Sequence, residues 1–561
     1  MIRYLIAAAS VAGAVLVGCG GSSPGPVACA DLKNTTLAGA TVLSATAVPA
    51  GSFDAPAQGL IPAQTLAGMP AFCRVVAQAT PSSDSNIGIE VWIPAAGWNQ
   101  KYMQVGTLAY AGFYQYGPMA SALKRGYAIA STDTGHALAV PDLAAWAAGH
   151  PEKIVDWGWR AHKITTDFAK LVIAKHTAMG SKFSYFLGAS NGGREGFMAA
   201  QRFPQDFDGY IIDGPANNWN RLSAGWVNTE QAQFTNAAST FGQNKLPAIQ
   251  AAALAQCDAA DGVTDGIVND PRSCNFNAQA LLCTGAETDA CLTAPQIASL
   301  NRVLDGPRSP STGKRVFPGY EPHGVNTPDW VSYISGPSLF GVLNSDGLLG
   351  NGWFGDFVRG TGAPLNFDFT TINFDIDVAA AISTKIGNES IASIVDAGGT
   401  DFSGVKSRGA KIILTTGWGD PVVPPRYVIE YYESVVAGPA FNNNIGAARD
   451  TFRLFMIPGG GHLAGPGAMG ASGIGNPFGN PSTVKDAQHD VISALEAWVE
   501  TGAAPDVIVG AKYNNDDPAQ GVKLSRPLCV YPGLPKYKGS GNTSDAASFT
   551  CVDGPRGAYL N

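Results

Sequence analysis

The stretch YFLGASNGGREG, residues 185–196, constrains the fold more than any other part of the chain. Apolar residues Tyr185 to Leu187 run into small ones and then into REGFMAAQRF, whose apolar residues recur at helical spacing. This is the pattern of a strand that turns at once into a helix, a reversal that only small residues permit. Ser190 stands at the apex, between Gly188 and Gly192 at the spacing G-x-S-x-G. Such a serine is either a nucleophile or part of a purely structural glycine turn, and the rest of the chain has to decide between them.

The surrounding rhythm is α/β. Short β-branched and aromatic runs at Ile87–Ile93, Tyr102–Val105, Tyr127–Ser131, Tyr185–Leu187, Tyr210–Ile212, Lys411–Thr415 and Phe452–Ile457 read as strands. RAHKITTDFAKLVIAKHTAM reads as a helix through Ile164, Phe168, Leu171, Val172 and Met179, and VKDAQHDVISALEAWVETG as another that ends before Gly502. Strands separated by helices imply a mostly parallel sheet covered on both faces. From about Pro215 to Gly409 the rhythm breaks into a segment with few strands, rich in Gly, Asn, Asp and aromatics. It reads as a large insertion between two parts of one domain, because the strand pattern resumes at AKIILTTGWGD.

A serine hydroxyl attacks only when a base removes its proton and an acid orients that base. Both partners follow Ser190 in the order an α/β-hydrolase uses. Asp420 ends the strand-like IILTTGWGD, and His462 lies in MIPGGGHLAGPG, also just past a strand. Ser190, Asp420 and His462 are the expected catalytic residues. The rival histidine is His136 in STDTGH, which precedes the serine; the rival acid is Asp213 in YIIDGPA, directly after the next strand. His162 and His176 fall in the preceding helix, His489 in the last one, His323 in the insertion and His150 in a polar loop. The oxyanion hole is expected from the amide of Asn191 and one from the loop QVGTLAYAG, that of Ala109 with Leu108 as the alternative.

The formal charge of -8 and the absence of a basic run exclude nucleic acid as a partner and leave a small neutral or weakly charged ligand. Residues 1–18 have the early cation, apolar run and small residues of a secretory signal. Leu16-Val17-Gly18-Cys19 is similar to a bacterial lipobox, so Cys19 is the expected lipidation site, with residues 19–30 as a flexible tether. The chain is thus expected to be exported as an outer-membrane lipoprotein, periplasmic or extracellular, touching a membrane only through that anchor and needing no protein partner. Eight further cysteines in an exported chain read as disulfides, and about a hundred connectivities are open to them. Their clustering points to local pairs: Cys29 with Cys73, Cys257 with Cys274, Cys283 with Cys291 and Cys529 with Cys551.

Many ordered segments, among them WNQKYMQVG, STDTGH, DWGWRAHKITTDFAK, GASNGGREG, CDAADGVTDGIVNDPRSC, GWGDPVVP, GGGH and RPLCVYPGLPKYKGSG, make the chain resemble the tannase and feruloyl esterase family. Its bacterial members include mono(2-hydroxyethyl) terephthalate hydrolase-like esterases of aromatic acids. The resemblance implies an α/β-hydrolase fold with a large inserted lid: residues 31–214 and 410–561 as the catalytic domain and 215–409 as the lid. It also places the triad on Ser190, Asp420 and His462. The family's disulfide flanking serine and histidine is missing, because its positions hold Ala189 and Leu463. The loop Asp258–Gly266, alone a solvated acidic turn, lies between Cys257 and Cys274 where the family holds a lid calcium. Asp258, Asp261 and Asp265 side chains with Val263 and Ile267 carbonyls are its expected ligands, for a structural Ca2+ and no organic cofactor. In NGWFGDFVRG, Trp353, Phe354 and Phe357 are candidates to stack on an aromatic acyl group and Arg359 to pair with its anionic substituent, against a role in lid packing. The expected activity is a serine esterase cleaving feruloyl, galloyl or terephthalate-monoester substrates through an acyl-enzyme. The alternatives are a binding lipoprotein on a hydrolase scaffold and a serine peptidase.

Overall fold

The computed structural model describes residues 25–37, 39–59, 61–138, 143–325, 327–336, 345–360, 367–464, 469–479 and 481–559. The secretory signal and Cys19 lie outside them. Ten strands form one sheet: β1 (Thr36–Leu37), β2 (Ala40–Val48), β3 (Phe72–Ala79), β4 (Ile87–Pro94), β5 (Lys101–Val105), β6 (Ala128–Thr132), β7 (Phe183–Ala189), β8 (Gly209–Asp213), β9 (Lys411–Gly417) and β10 (Phe452–Ile457). Their order is β1-β2-β3-β4-β6-β5-β7-β8-β9-β10. Pairings from β6 through β10 are parallel, whereas those linking β1, β2, β3, β4 and β6 are antiparallel. The mostly parallel expectation holds from β6 through β10, and an antiparallel edge is added to it by β1 to β4, with β4 pairing antiparallel onto β6. Strands β1 to β3 extend the sheet beyond the runs read from the sequence; β2, ATVLSATAV, is rich in Ala, Ser and Thr and largely exposed.

The eight longer helices are α1 (Tyr116–Lys124), α2 (Ala161–Thr177), α3 (Asn191–Arg202), α4 (Trp219–Phe234), α5 (Leu246–Cys257), α6 (Ala294–Asp305), α7 (Pro425–Ala437) and α8 (Val491–Thr501). Successive strand residues point to opposite faces, and both faces are apolar here. Phe186, Tyr210, Ile212, Ile412 and Leu414 pack with Phe168 of α2, Phe197 of α3 and Val428 of α7. Tyr185, Leu187, Ile211 and Ile413 pack on the other side with Met119 of α1 and Leu495 of α8. Every residue of β6, β8 and β10 is buried, so these strands show near-continuous apolar runs, broken only by Ser131 and Thr132, Asp213 and Arg453, rather than alternation. Two helix ends differ from expectation. The last helix begins at Val491, where Asp490 caps the Ser493 amide, so His489 precedes it and pairs with Asp486. Met179 falls beyond α2, past a left-handed Ala178, and is exposed.

Strand β8 ends at Asp213, and β9 returns beside it in parallel register, Gly209 against Lys411 and Asp213 against Thr415. The chain between them is mostly helical and builds its own apolar cluster from Phe241, Leu246, Ile249, Leu300, Trp330 and Ile334. All four cysteine pairs read from clustering are bonded: Cys29–Cys73, Cys257–Cys274, Cys283–Cys291 and Cys529–Cys551.

Candidate active site

Ser190 joins β7 directly to α3 and takes φ 56°, ψ -121°. A non-glycine residue in that region costs on the order of 1–3 kcal/mol and persists only where its surroundings enforce it. Here the Ser190 amide donates to the Asp213 carbonyl at 2.9 Å, and its own carbonyl accepts from Ala216 at 3.0 Å. The flanking glycines are steric necessities. A Cβ on Gly188 would sit 2.0 Å from the Gly192 carbonyl oxygen, and one on Gly192 2.8 Å from that of Thr107. The motif is therefore a turn packed against the loop after β5. Ser190 itself is 8% exposed.

Asn191 is the first residue of α3, so its amide has no intrahelical acceptor and is free for an anion near the serine. In the loop after β5, the chain turns through positive φ at Ala109 (46°) and Ala111 (62°), closed by Ala111 donating to the Leu108 carbonyl at 2.8 Å. Glu195, one turn into α3, holds the two halves together. Its carboxylate accepts the Thr107 amide at 2.7 Å, the Thr107 hydroxyl at 2.6 Å and the Asn191 side-chain amide at 2.9 Å. His162 Nε2 lies 2.8 Å from the same carboxylate as an ion-pair contact, and Gln104 Nε2 donates to His162 Nδ1 at 2.9 Å. Burial alone would raise the Glu195 carboxyl, but His162, then Arg194 and Thr107, hold it below its usual value. Nothing in the sequence distinguishes this buried glutamate from an exposed one on a helix.

Asp420 and His462 lie on loops after β9 and β10, laced together where the Gly419 amide donates to the Gly460 carbonyl at 2.7 Å. His462 Nδ1 donates to Asp420 Oδ2 at 2.8 Å, while Asp420 Oδ1 accepts the amides of Val422 and Val423 at 2.8 and 2.9 Å. With its proton on Nδ1, the ring keeps a lone pair on Nε2. The pair stands against Gly214, next to the residue that anchors Ser190. A Cβ there would be 3.1 Å from Asp420 Oδ2 and 3.4 Å from His462 Nδ1. Burial works against charging His462, yet Asp420, with help from Asp329 and Asp213, raises it above the usual histidine value.

The rivals are otherwise engaged. Asp213 accepts the Thr415 hydroxyl at 2.6 Å and the Asn476 side-chain amide at 2.8 Å, one on each oxygen, and burial lifts its carboxyl to about 6. His136 bonds the Tyr110 carbonyl at 2.7 Å, stacks on Trp146 with centroids 3.7 Å apart, and is lowered by burial to about 3. From the segment between β8 and β9, Asp329 accepts the His462 amide at 3.2 Å, and Tyr333 sets its ring edge-on to the imidazole, centroids 6.2 Å apart. Neither residue carries a sequence signal.

The expected acyl-group contacts are placed differently. Trp353, Phe354 and Phe357 are buried in the aromatic core with Tyr110, Trp157 and Trp219. Phe357 stacks on Tyr110 and Trp353 donates to Asn220 at 3.2 Å. Arg359 binds Asp377 at 2.7 Å and covers Phe367. These residues serve packing and an internal ion pair, the bland reading of the same pattern.

Among the described residues one group of His, Cys, Asp and Glu draws its ligand atoms together, Cys257, Cys274 and His323, but the two sulfurs are bonded to each other and offer no thiolate. The acidic loop turns its carboxylates on its own backbone. Asp258 accepts the amides of Asp265 and Gly266, Asp261 those of Val263 and Asn269, and Asp265 that of Ile267 and the Arg526 guanidinium at 2.6 Å. Burial, with mutual repulsion contributing, lifts Asp261 to about 6 and raises Asp265. Beside them the side-chain amide of Asn269 is buried without a partner. Hard oxygen donors and a negative charge that Arg526 balances only in part fit a cation such as calcium, which would have to draw the three carboxylates closer.

Comparison with known proteins agrees with this architecture. The family model described as tannase and feruloyl esterase matches residues 73–552. An uncharacterized esterase of Xanthomonas campestris is 49% identical over 100% of this chain and 96% of its own. Mono(2-hydroxyethyl) terephthalate hydrolase of Piscinibacter sakaiensis is 30% identical, covering 82% of this chain and 80% of its own. The crystal structure of feruloyl esterase B from Aspergillus oryzae superposes with a TM-score of 0.82 at 27% identity, over 92% of this chain and 98% of that one. With an α/β-hydrolase-type sheet and a family match over most of its length, the chain belongs to the tannase and feruloyl esterase family.

Proposed function

We propose that the protein is an exported serine esterase that hydrolyses carboxylic esters of aromatic acids through an acyl-enzyme. The observation that carries this reading is the buried Asp420–His462 hydrogen bond standing against Gly214, beside the strained turn that bears Ser190. Ser190 Oγ attacks the ester carbonyl carbon while His462 Nε2 takes its proton and Asp420 stabilises the imidazolium. The Asn191 and Ala109 amides receive the oxyanion, and a lost donor there costs roughly 100- to 1,000-fold in rate. The tetrahedral species collapses, the alcohol leaves with the proton from His462, and a water activated by the same imidazole releases the acid.

Residues 215–409 act as a lid that decides which acyl group enters, and the Asp258, Asp261 and Asp265 loop holds a calcium that stiffens it. Four disulfides favour an oxidising compartment. Cys19 supplies the lipid anchor. A fluorophosphonate probe should label the wild-type protein and leave Ser190→Ala untouched. Turnover should follow for at least one of methyl ferulate, methyl gallate or a terephthalate monoester, and not for a peptide amide. Labelling that survives Ser190→Ala would refute the mechanism, and cleavage of the amide alone would make the protein a peptidase.

A further inference from the structure

The family resemblance implies a disulfide between the serine and histidine loops, but the positions expected to carry it hold Ala189 and Leu463, which cannot form one. Something else has to hold the histidine loop, and the loop is strained: Leu463, next to His462, adopts φ 55°, ψ 24°, a left-handed conformation that costs a side-chain-bearing residue about 1–2 kcal/mol. Among the described residues, the side chain that accepts a hydrogen from the backbone of His462 is Asp329, Oδ2 to N 3.2 Å. Its own position is well determined. Thr327 caps the short helix Pro328–Trp330 by accepting the Trp330 amide, and Trp330 and Ile334 are wholly buried in the apolar cluster of the segment between β8 and β9. The same segment brings Tyr333 edge-on to the imidazole and packs Gly324 against Gly419, where a Cβ would come within 2.6 Å of the Gly419 Cα.

We infer that Asp329 is a positioning residue, which fixes the backbone of His462 from the inserted segment and brings a second carboxylate to the side of the Asp420–His462 pair. The inference rests on His462 being the general base. The charged groups facing the imidazole are Asp420 after β9, Asp213 at the end of β8 and Asp329. Those facing Asp329 are His462 and Asp420, with the Tyr333 hydroxyl nearby. Burial outweighs the pull of His462 and leaves the Asp329 carboxyl at about 6, so it is ionised in neutral and alkaline solution. An ionised Asp329 stabilises imidazolium, so removing its charge makes His462 easier to deprotonate and extends activity to lower pH.

The experiment compares kcat, KM and pH profiles of wild type, Asp329→Asn and Asp329→Ala on a small aryl ester, with His462→Ala as the control. Asp329→Asn keeps an acceptor for the His462 amide. It should retain kcat and move the acid limb of kcat/KM down by roughly 0.5–1 pH unit. Asp329→Ala loses the acceptor and should lose about tenfold or more in kcat with KM changed by less than about twofold. An acid limb that stays in place in Asp329→Asn, or wild-type kcat in Asp329→Ala, overturns the inference. Should Asp329→Ala fail to fold, the Asp329→Asn profile decides alone. Full turnover by His462→Ala would instead overturn the general-base reading, a result distinguishable from failure of Asp329.

Discussion

Two acids lie near His462, Asp213 at the end of β8 and Asp420 just past the end of β9, and their amides should behave very differently. In Asp420→Asn the orientation of the new group is dictated by the backbone. The Oδ1 site receives two amides, from Val422 and Val423, so it must remain an oxygen. The amide nitrogen then occupies the Oδ2 site, 2.8 Å from His462 Nδ1, and donates to it. His462 must carry its proton on Nε2, the wrong tautomer for taking one from Ser190. The fold keeps its hydrogen bonds, but the expected loss in kcat is roughly ten-thousandfold, about 5.4 kcal/mol. In Asp213→Asn the Asn476 side-chain nitrogen can donate to the new oxygen while the Thr415 hydroxyl turns to accept from the new amide nitrogen, and His462 keeps its bond to Asp420. Its kcat should stay within about threefold of wild type. Its stability should change instead. A carboxyl held near 6 in the folded protein against 3.8 in the unfolded chain costs the wild type stability as pH rises between those values, up to about 3 kcal/mol above both. The amide escapes that loss, so Asp213→Asn should gain on wild type in urea melts at pH 8 and not at pH 4. Steady-state kinetics with circular dichroism melts check both arms. Comparable kcat for Asp420→Asn and wild type, or a catalytic collapse in Asp213→Asn alone, would refute the assignment of the acid.

Replacing Glu195 by Ala strands the Thr107 amide and hydroxyl, the Asn191 side chain and His162 in a dry interior. At about 1–3 kcal/mol for each unsatisfied group, denaturant melts should show a loss of 3 kcal/mol or more, and surviving folded protein should label slowly with fluorophosphonate because its oxyanion loop is no longer held; a loss under about 1 kcal/mol would speak against the clamp. Chelation by EGTA should lower the melting temperature at pH 8 in wild type and have no effect on Asp261→Ala, and the difference should shrink below about pH 6 as protons compete for Asp261. An EGTA effect equal in both proteins would remove the acidic loop as the calcium site.

What could be read in the chain followed the range of the contacts involved. Ser190 was legible because strand, glycine turn and helix are consecutive, and Asp420 and His462 because each closes a strand-like run. The strand-like IILTT running into GWGDPVVP already favoured Asp420 over Asp213; what the pattern could not supply is that Thr415 and Asn476 occupy Asp213 while Asp420 bonds His462. Glu195 reaches Thr107 across 88 positions and Asp329 reaches His462 across 133, and a charged residue on a helix looks the same whether it faces water or clamps a loop. Trp353, Phe354 and Phe357 illustrate the converse. An aromatic run has the same composition in a ligand pocket and in a core, and only the neighbours Tyr110, Trp157 and Trp219 settle which it is. The outer antiparallel strands escaped notice because β2, with its Ala, Ser and Thr and an exposed Leu43, shows no alternation of buried apolar and exposed polar residues.

The junctions of the inserted segment have a practical meaning. It departs at Gly214, at the catalytic rim, and returns at Lys411, which pairs with Gly209 at the opposite end of β8. Those seams sit on two hydrogen-bonded neighbours, so a replacement module from a homologue can be spliced in without re-threading the sheet. On the proposed function such a chimera keeps Ser190, Asp420 and His462 and takes its acyl preference from the donor, provided the donor supplies a glycine to nest on Gly419 and a carboxylate to hook the histidine loop.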